Sequence, residues 1–372
     1  MNWPLSQLNF TLLDKLAIAR FILFNDRWTQ GDKVLQFEDS ICKFTNYKYS
    51  LFTSSGSTAN YILAAYSRAK YNLKTIVVPA TTWTTSISPW IQNNITPIFV
   101  DISFKDLSID LPKLESILKN RRIDAVFVTS LLGFMPNMEK LKDICSRHNT
   151  HLFADHCESL LSLASQTTYS TATTSTYQGH QISSVEGGFI LTNDEELYNF
   201  GLRYRNHGLN RSLPYKIQSK YSNPDVDPLF DFSILGNNFR NTDINALVGL
   251  KDLKRAAKYT KLRISSYQYA KLKLSDNYIF PELKIGDVPF SLPIILRKSD
   301  PAKLTEIKNK LKLNNIEYRP IISGNLLRQT PYKQFGHPET YKVSEHLHNN
   351  GIYVGLHSNI TTKHIDKLVS LI

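Results

Sequence analysis

Cysteine is scarce in this sequence of 372 residues. The chain contains only Cys42, Cys145 and Cys157, which stand far apart and form no Cys-x-x-Cys pair. This number is too small for the disulfide framework of a small secreted protein or for a zinc site built on Cys-x-x-Cys pairs. A four-cysteine iron–sulfur cluster within one chain is excluded by the count alone.

Long apolar runs are also missing. No transmembrane-length apolar stretch occurs, and the first residues, MNWPLSQLNF, lack the basic start and the apolar core of a secretory leader. We therefore expect a cytoplasmic protein with no membrane partner.

The positive charge of the chain is spread rather than concentrated. The formal net charge is +12, and one denser basic run, from Lys251 to Arg263, is mixed with apolar residues and predicts the solvated face of a helix. Nucleic-acid binding would need a basic stripe together with a recognisable binding module, and the sequence contains no such module. The composition therefore favours a phosphorylated small molecule over nucleic acid as the anionic partner.

Short β-rich runs alternate with amphipathic helical stretches. The first strand candidates begin at Tyr49, Thr75, Pro97, Ala125 and His151. This alternation predicts an α/β fold with a mostly parallel sheet, which binds ligands at the carboxyl ends of its strands. From about Asp276 the strand candidates become FSLPIILR, EYRPIIS and GIYVGLH. We predict a large domain over residues 1–245 and a smaller C-terminal α+β domain over residues 246–372.

A segment of small residues, SSGSTAN, follows the first strand candidate and opens a helix. Gly56 and Ser57 lie where free N–H groups at a helix start can bind a phosphate. Serine and threonine are also ordinary helix N-caps, and capping is the simpler explanation for this segment taken alone.

Asp155 and Trp83 follow other strand candidates. A carboxylate at the end of HLFAD could hold a pyridine nitrogen protonated, which makes the ring an electron sink, but a helix cap explains Asp155 equally well. Trp83 could stack on a flat ring, or it could pack in the core or at an interface. We predict no metal site at His156, Cys157 and Glu158, because adjacent residues leaving a strand diverge and no second ligand cluster is present.

Lysine is absent from a long middle stretch of the chain. None occurs between Lys142 and Lys216, and this stretch contains His180 and a Gly-Gly pair before the strand candidate FILTN. A single histidine is more often structural than catalytic. Here, however, the phosphate segment, the stacking ring, the carboxylate and the histidine follow one another in the order used by one class of enzymes.

Together these motifs resemble the DegT/DnrJ/EryC1/StrS family of sugar aminotransferases, a branch of the fold-type-I pyridoxal-phosphate enzymes with the aspartate aminotransferase-like fold. The resemblance runs over nearly the whole chain, through WTQGDKVLQFEDSICKF, SGSTAN, PATTW, DHCES, the EGG segment, GLRYRNHG, GNNFRN and YRPIISGN. In this family the lysine that binds the cofactor covalently lies seven residues before the first glycine of the EGG motif. Here that position is His180, and this replacement marks the sugar 3-dehydratases.

The resemblance implies an enzyme that uses pyridoxal 5'-phosphate and pyridoxamine 5'-phosphate, with glutamate as amine donor. Its implied reaction is removal of the C3 hydroxyl of a nucleotide-linked 4-keto-6-deoxy sugar, with GDP-4-keto-6-deoxymannose favoured. The few cysteines favour the subgroup without an iron–sulfur cluster. A nucleotide-sugar aminotransferase and a catalytically silent cofactor-binding homologue are the alternatives.

The resemblance also implies roles for individual residues. His180 would act as both base and acid. The cofactor would be bound by Gly56, Ser57, Trp83, Asp155 and Ser175, and by Asn238 from the second subunit of a homodimer with shared active sites. Substrate contacts are expected from Glu158, Arg319 and His357, although Arg319 is equally well explained as a surface strand residue. The chain departs from the subgroup at Ala154, at His156 and in a shortened loop between Glu158 and Ser175, which bears on the substrate more than on the cofactor.

Overall fold

The larger of two sheets contains seven strands. The computed structural model describes residues 2–165 and 171–372. The strands of this sheet are β1 (Tyr49–Thr53), β2 (Thr75–Pro79), β3 (Thr96–Val100), β4 (Ala125–Thr129), β5 (His151–Asp155), β6 (Thr171–Ser175) and β7 (Gly188–Thr192). Their order is β1-β7-β6-β5-β4-β2-β3, and β7 runs antiparallel to its neighbours while the other pairs are parallel. The predicted α/β fold with a mostly parallel sheet is confirmed.

Helices cover both faces of this sheet. The helices of this part of the chain are α1 (Leu12–Phe24), α2 (Asp32–Thr45), α3 (Gly56–Tyr71), α4 (Ser88–Gln92), α5 (Leu111–Asn120), α6 (Met138–Arg147), α7 (Glu195–Tyr204), α8 (Tyr215–Gln218) and α9 (Asp243–Leu253). One core packs α2, α5 and α6 against the sheet, and another packs α3, α4 and α7 against it. The last two residues of each strand from β2 to β5 are buried, as expected where helices cover both faces.

The C-terminal part of the chain forms a smaller antiparallel sheet. Its strands are β8 (Tyr278–Ile279), β9 (Ser291–Leu296), β10 (Tyr318–Pro320) and β11 (Gly351–Gly355), in the order β10-β11-β9-β8. Its helices are α10 (Ala256–Leu274), α11 (Pro301–Leu313), α12 (Lys342–Asn350) and α13 (Thr362–Val369). The core of this unit also contains Trp3, whose indole N–H donates to the carbonyl oxygen of Gly355 at 2.9 Å. The start of the chain therefore packs with its C-terminal part.

The predicted domain division between residues 245 and 246 lies inside α9. Ala246 of this helix packs in the core of the large sheet, so α9 is continuous with the first unit. The change between cores occurs along α10, where Tyr259 packs with the large sheet and Tyr267 with the small one. The division into two domains itself stays a prediction.

The basic run from Lys251 to Arg263 is not one solvated helix face. It spans the end of α9 and the first part of α10, and Arg263 is 6% exposed. Arg263 lies four residues from both Tyr259 and Tyr267, which puts it on the buried stripe of α10. The prediction of a solvated face is therefore wrong for Arg263.

Exposed apolar side chains cluster in two places. On α1, Leu13 and Phe24 are 77% and 78% exposed, and in the segment 229–235 Leu235 is 96% exposed beside half-exposed phenylalanines. Within the described ranges, no helix combines the length and the apolarity needed to cross a membrane. Several large exposed apolar side chains in one segment are typical of contacts with another protein chain.

Candidate active site

A cavity of about 620 Å³ lies between the carboxyl edge of the large sheet and the small sheet. We call it the main cavity. Its described lining includes most of the residues singled out in the sequence, namely Gly56, Ser57, Trp83, Asp155, Glu158, Ser175, His180 and Arg319. The fold therefore brings together side chains from the start of α3, the ends of β5 and β6, the loop before β7, and strand β10.

Two glycines allow the start of α3 to approach the ends of β6 and β7. A Cβ atom on Gly56 would lie 2.8 Å from the Sγ atom of Cys157 and 3.0 Å from the Cβ atom of Ser175. A Cβ atom on Gly188 would lie 2.3 Å from the backbone nitrogen of Gly56. This close approach places the first N–H groups of α3 beside the Ser175 hydroxyl, an arrangement that suits a phosphate.

The helix-cap explanation of the same segment is also correct. Ser55 is the N-cap of α3, and its hydroxyl accepts a hydrogen bond from the backbone N–H of Thr58 at 3.1 Å. The next hydroxyl along, that of Ser57, lies 2.8 Å from the Oγ1 atom of Thr85 at the edge of the main cavity. Capping uses Ser55, so Ser57 is left for a ligand.

The Asp155 carboxylate is buried at the end of β5 and is held by three donors. Oδ2 accepts hydrogen bonds from the Ser86 hydroxyl at 2.7 Å and the Asn60 amide at 3.1 Å. Oδ1 accepts one from the backbone N–H of Cys157 at 3.0 Å, a local turn contact. The two bonds from distant elements fix the carboxylate, and Oδ1, with one protein donor, has capacity for a cationic ligand atom.

Trp83 is 56% exposed and lines the main cavity. The core-packing explanation is therefore wrong for this residue. Its indole ring is available as a flat surface against which an aromatic ligand can stack.

The loop that carries His180 is anchored to neighbouring elements. The Gln181 side chain accepts from the N–H of Leu161 at 2.8 Å and donates to the carbonyl oxygen of Val288 at 2.7 Å. The N–H of Ser183 donates to Oδ2 of Asp252 at 2.9 Å. Three segments that are distant in the sequence, at Leu161, Asp252 and Val288, therefore determine where the imidazole lies.

The imidazole of His180 lies between two aromatic rings. The rings of Tyr177 and Phe290 are each 5.7 Å from it and nearly perpendicular to it, and its Nδ1 atom is buried with no hydrogen-bond partner among the described residues. Burial lowers the pKa of His180 to about 4, although the Ser175 backbone and the Asp155 charge act in the opposite direction. The ring is therefore neutral at pH 7 and can accept a proton.

Glu158 and Arg319 contribute polar groups to the lining of the main cavity. Oε2 of Glu158 accepts the N–H of Leu132 at 2.7 Å, and burial raises the pKa of this carboxyl to about 8. Arg319 is exposed on β10, where Nη1 donates to the carbonyl oxygen of Tyr318 at 2.9 Å. The cavity thus offers a largely protonated carboxyl group and a guanidinium group that can bind an anion.

Residues 156–158 do not converge as metal ligands would. The Nδ1 atom of the buried His156 lies 2.7 Å from the Ser130 hydroxyl, whereas Glu158 is engaged with Leu132. Across residues 2–165 and 171–372, no group of three or more histidine, cysteine or carboxylate side chains is arranged to hold a metal ion.

The structure does not bring Asn238 or His357 to the main cavity. Asn238 is exposed, beside a bridge between its backbone and that of Asn206. His357 is 6% exposed and lines a second, much smaller cavity that also touches His180. A direct substrate contact by His357 therefore has no support in this arrangement. Residues 166–170 of the shortened loop lie outside the described residues.

Comparison with known proteins places this arrangement in a family. The model of the DegT/DnrJ/EryC1/StrS aminotransferase family matches residues 14–372. The chain belongs to this family. It is 30% identical to the GDP-4-keto-6-deoxy-D-mannose 3-dehydratase of Yersinia pseudotuberculosis, and the match covers 100% of this chain and 98% of that protein.

Solved structures of this family have the same fold. The E. coli GDP-4-keto-6-deoxy-D-mannose-3-dehydratase with bound hydrated PLP has a TM-score of 0.90 and 28% sequence identity, covering 100% of this chain and 99% of that one. A GDP-4-keto-6-deoxymannose-3-dehydratase with a trapped PLP-glutamate geminal diamine also has a TM-score of 0.90 and 28% identity, with full coverage of both chains. The fold-type-I assignment made from the sequence motifs is confirmed.

Several residues of the site carry a weak signal in the sequence or none. Asn60 lies in the SGSTAN motif, but its bond to Asp155 joins residues 95 positions apart. Ser86 lies three residues after Trp83 and could have been suspected from the polar run TTWTTS. Phe290 begins a strand candidate, and nothing in the sequence indicates that its ring contacts His180. These contacts depend on the packing of the two units.

Proposed function

We propose that this chain is a pyridoxal- and pyridoxamine-phosphate-dependent 3-dehydratase of a nucleotide-linked 4-keto-6-deoxy sugar. The observation that carries the proposal is His180 in the family's lysine position. No lysine is present among the described residues that line the main cavity, so no amine is in place to bind the cofactor covalently. This separates the chain from an aminotransferase that works through such a lysine.

The residues of the main cavity fit the cofactor. The start of α3 with Ser57 and Ser175 would hold its phosphate, and Trp83 would stack on its ring. Asp155, fixed by Asn60 and Ser86, would keep the ring nitrogen protonated.

Bound there, pyridoxamine phosphate supplies an amine for the C4 ketone of the sugar and a protonated ring that accepts electrons. The protein then needs one group that removes a proton and later returns a proton to the departing C3 hydroxyl. His180 meets this need because burial keeps its imidazole neutral at pH 7.

The substrate and the amine donor follow from the cavity and from the named relatives. Arg319 is a cation at the wall formed by the small sheet, where it would bind an acidic group of the nucleotide sugar or of glutamate. We favour GDP-4-keto-6-deoxymannose as substrate and glutamate as donor, because these groups occur in the names of relatives that match over the full length.

We further propose a homodimer in which Asn238 enters the partner's site. Asn238 is exposed and follows a segment in which Phe232 and Leu235 are 56% and 96% exposed. A second copy would cover these apolar side chains and bring Asn238 to a phosphate. The cytoplasmic location stays a prediction.

The experiment that tests the proposal is product analysis. The protein is incubated with pyridoxal phosphate, glutamate and a panel of nucleotide-linked 4-keto-6-deoxy sugars, and the products are identified by mass. A dehydratase releases a 3-deoxy-4-keto sugar and ammonia. Formation of an amino sugar would instead show an aminotransferase, and no product across the panel would show a silent homologue.

A further inference from the structure

Arg263 is a buried cation that the proposed reaction does not use. It lies on α10 and lines a cavity of about 20 Å³ behind His180, which we call the rear cavity and which is also lined by Ser183, Asp252, Tyr259 and His357. A space of this size holds about one water molecule and no sugar. Arg263 therefore faces the side of His180 that is closed to substrate.

The hydrogen bonds of Arg263 go to uncharged backbone. Its Nη1 donates to the carbonyl oxygen of Phe290 at 2.5 Å and, more weakly, to that of Pro289 at 3.4 Å, while Nε has no partner among the described residues. The Asp252 carboxylate at the same cavity already accepts from Ser183 and from the Tyr259 hydroxyl. The Asp252 charge offsets part of the cost of burying this guanidinium. The groups that Arg263 holds directly are the two backbone carbonyls.

The segment that Arg263 holds carries one of the two rings beside His180. The N–H of Phe290 donates to the carbonyl oxygen of Leu132 at 2.8 Å, opposite the bond from Arg263. On the adjacent residue, Gly133, a Cβ atom would lie 2.1 Å from the carbonyl oxygen of Val288 and 2.6 Å from the nitrogen of Phe290. The backbone of Phe290 is thus held by Leu132 through its N–H and by Arg263 through its carbonyl oxygen, and these two bonds determine where its ring contacts the imidazole.

We propose that Arg263 is a positioning residue for His180: by holding the Pro289–Phe290 backbone it fixes the aromatic wall against which the imidazole packs. The inference rests on the proposed function, in which His180 transfers protons. A base that must reach two atoms in sequence depends on orientation, and a misplacement of about 1 Å can lower a rate by about a hundredfold.

The effect of losing Arg263 on His180 has a definite sign. Loosening the Phe290 ring admits water, which removes part of the burial that lowers the pKa of His180 to about 4. The other titratable groups around His180 are Tyr177 beside the ring, Asp155, Cys157, Glu158, Glu186, Glu317, Arg319 and Tyr353 in the main cavity, and Asp252, Tyr259 and His357 in the rear cavity.

The test compares Arg263→Met with Lys261→Met, which removes an exposed cation two residues away on the same helix. The pKa of His180 is followed by NMR of isotope-labelled histidine, with its signal assigned by its loss in His180→Asn. We expect Arg263→Met to raise this pKa by about one pH unit and to lower kcat about tenfold or more with little change in KM. Lys261→Met should change neither quantity.

Two further variants keep the test decisive if Arg263→Met does not fold. Phe290→Leu removes the ring and should raise the pKa of His180 as well. Arg263→Lys, which keeps a donor for the Phe290 carbonyl without the planar fork, should give a smaller rise. An unchanged pKa of His180 in every folded variant would overturn the proposal and leave Arg263 a purely structural residue. The titration needs no turnover, so a parent enzyme that releases no keto sugar refutes the proposed function without deciding this inference.

Discussion

Replacing Asp155 by asparagine removes the charge expected to face the cofactor's ring nitrogen while leaving the size of the side chain almost unchanged. Two charges about 4 Å apart attract by about 4 kcal/mol at an effective dielectric of about 20. Desolvation offsets part of this attraction, so we expect a loss of about 2–3 kcal/mol, or binding of pyridoxal phosphate weaker by about 30-fold to 150-fold. Turnover should fall further, because an unprotonated ring is a poor electron sink.

The same substitution also affects the free protein. All three groups around the carboxylate donate to it, and the Asn60 amide is oriented because its own Oδ1 accepts from Thr173 at 2.5 Å. The NH2 group of the new asparagine must therefore face one of these donors and leave it without an acceptor. This should lower the free energy of unfolding by about 1–3 kcal/mol. Urea denaturation of the cofactor-free protein measures this part separately.

The assay is a titration with pyridoxal phosphate, followed by the quenching of tryptophan fluorescence, in parallel with product analysis. The matched control is Asp194→Asn, because Asp194 caps α7 outside the main cavity and asparagine caps helices equally well. If Asp155→Asn binds the cofactor and turns over like the parent, the carboxylate does not face the ring nitrogen and the assignment is refuted.

Three further predictions concern His180 and the dimer. In His180→Lys, borohydride reduction should attach pyridoxal phosphate covalently to residue 180, and dehydratase activity should be lost. A borohydride-stable cofactor adduct on another lysine of the parent protein, or dehydration by the variant at the original rate, would contradict the role of His180. Mixing Asn238→Ala with His180→Ala chains should restore part of the activity, since one hybrid site carries both intact residues; no recovery after confirmed subunit exchange rules out shared sites. Burial lowers the pKa of His180 to about 4, so its base form persists as the pH falls. The acid limb of the pH profile of kcat/KM should therefore lie well below the ordinary histidine value of about 6.5. An acid limb near 6.5 that is assigned to His180 would contradict this.

The large sheet was predictable because most of its strands are short apolar runs between helical segments. Strand β6 was not predicted as a strand, since its sequence, TATTS, looks like a polar loop. Its buried threonines become acceptable only in the fold, where Thr173 donates to Asn60 and Thr174 donates to the carbonyl oxygen of His156. Polar strands of this kind are recognisable only once their partners are known.

The position of Ser57, Asp155 and His180 at the main cavity was predictable, because each lies in a recognisable sequence motif at the end of a strand or in the loop before one. The site was not predictable where the role depends on distant packing. Arg263 lies in a run of surface lysines, and its burial follows from the position of α10 between the two cores. His357 ends a strand in the sequence, but the chain closes over it with residues 6–9 at the rear cavity.

Because the His180 loop is anchored, the backbone entropy of ordering it is lost during folding and not when a ligand binds. Fixing one residue costs about 1–2 kcal/mol of backbone entropy at 25 °C, and the bonds from Gln181 and Ser183 impose this loss during folding. A lysine bound covalently to the cofactor would restrain the cofactor directly. A cofactor held only by noncovalent contacts depends instead on a His180 side chain that is already in place. The imidazole is therefore part of a preformed frame, and the effective concentration of the base seen by a bound ligand is set by the fold before the ligand arrives.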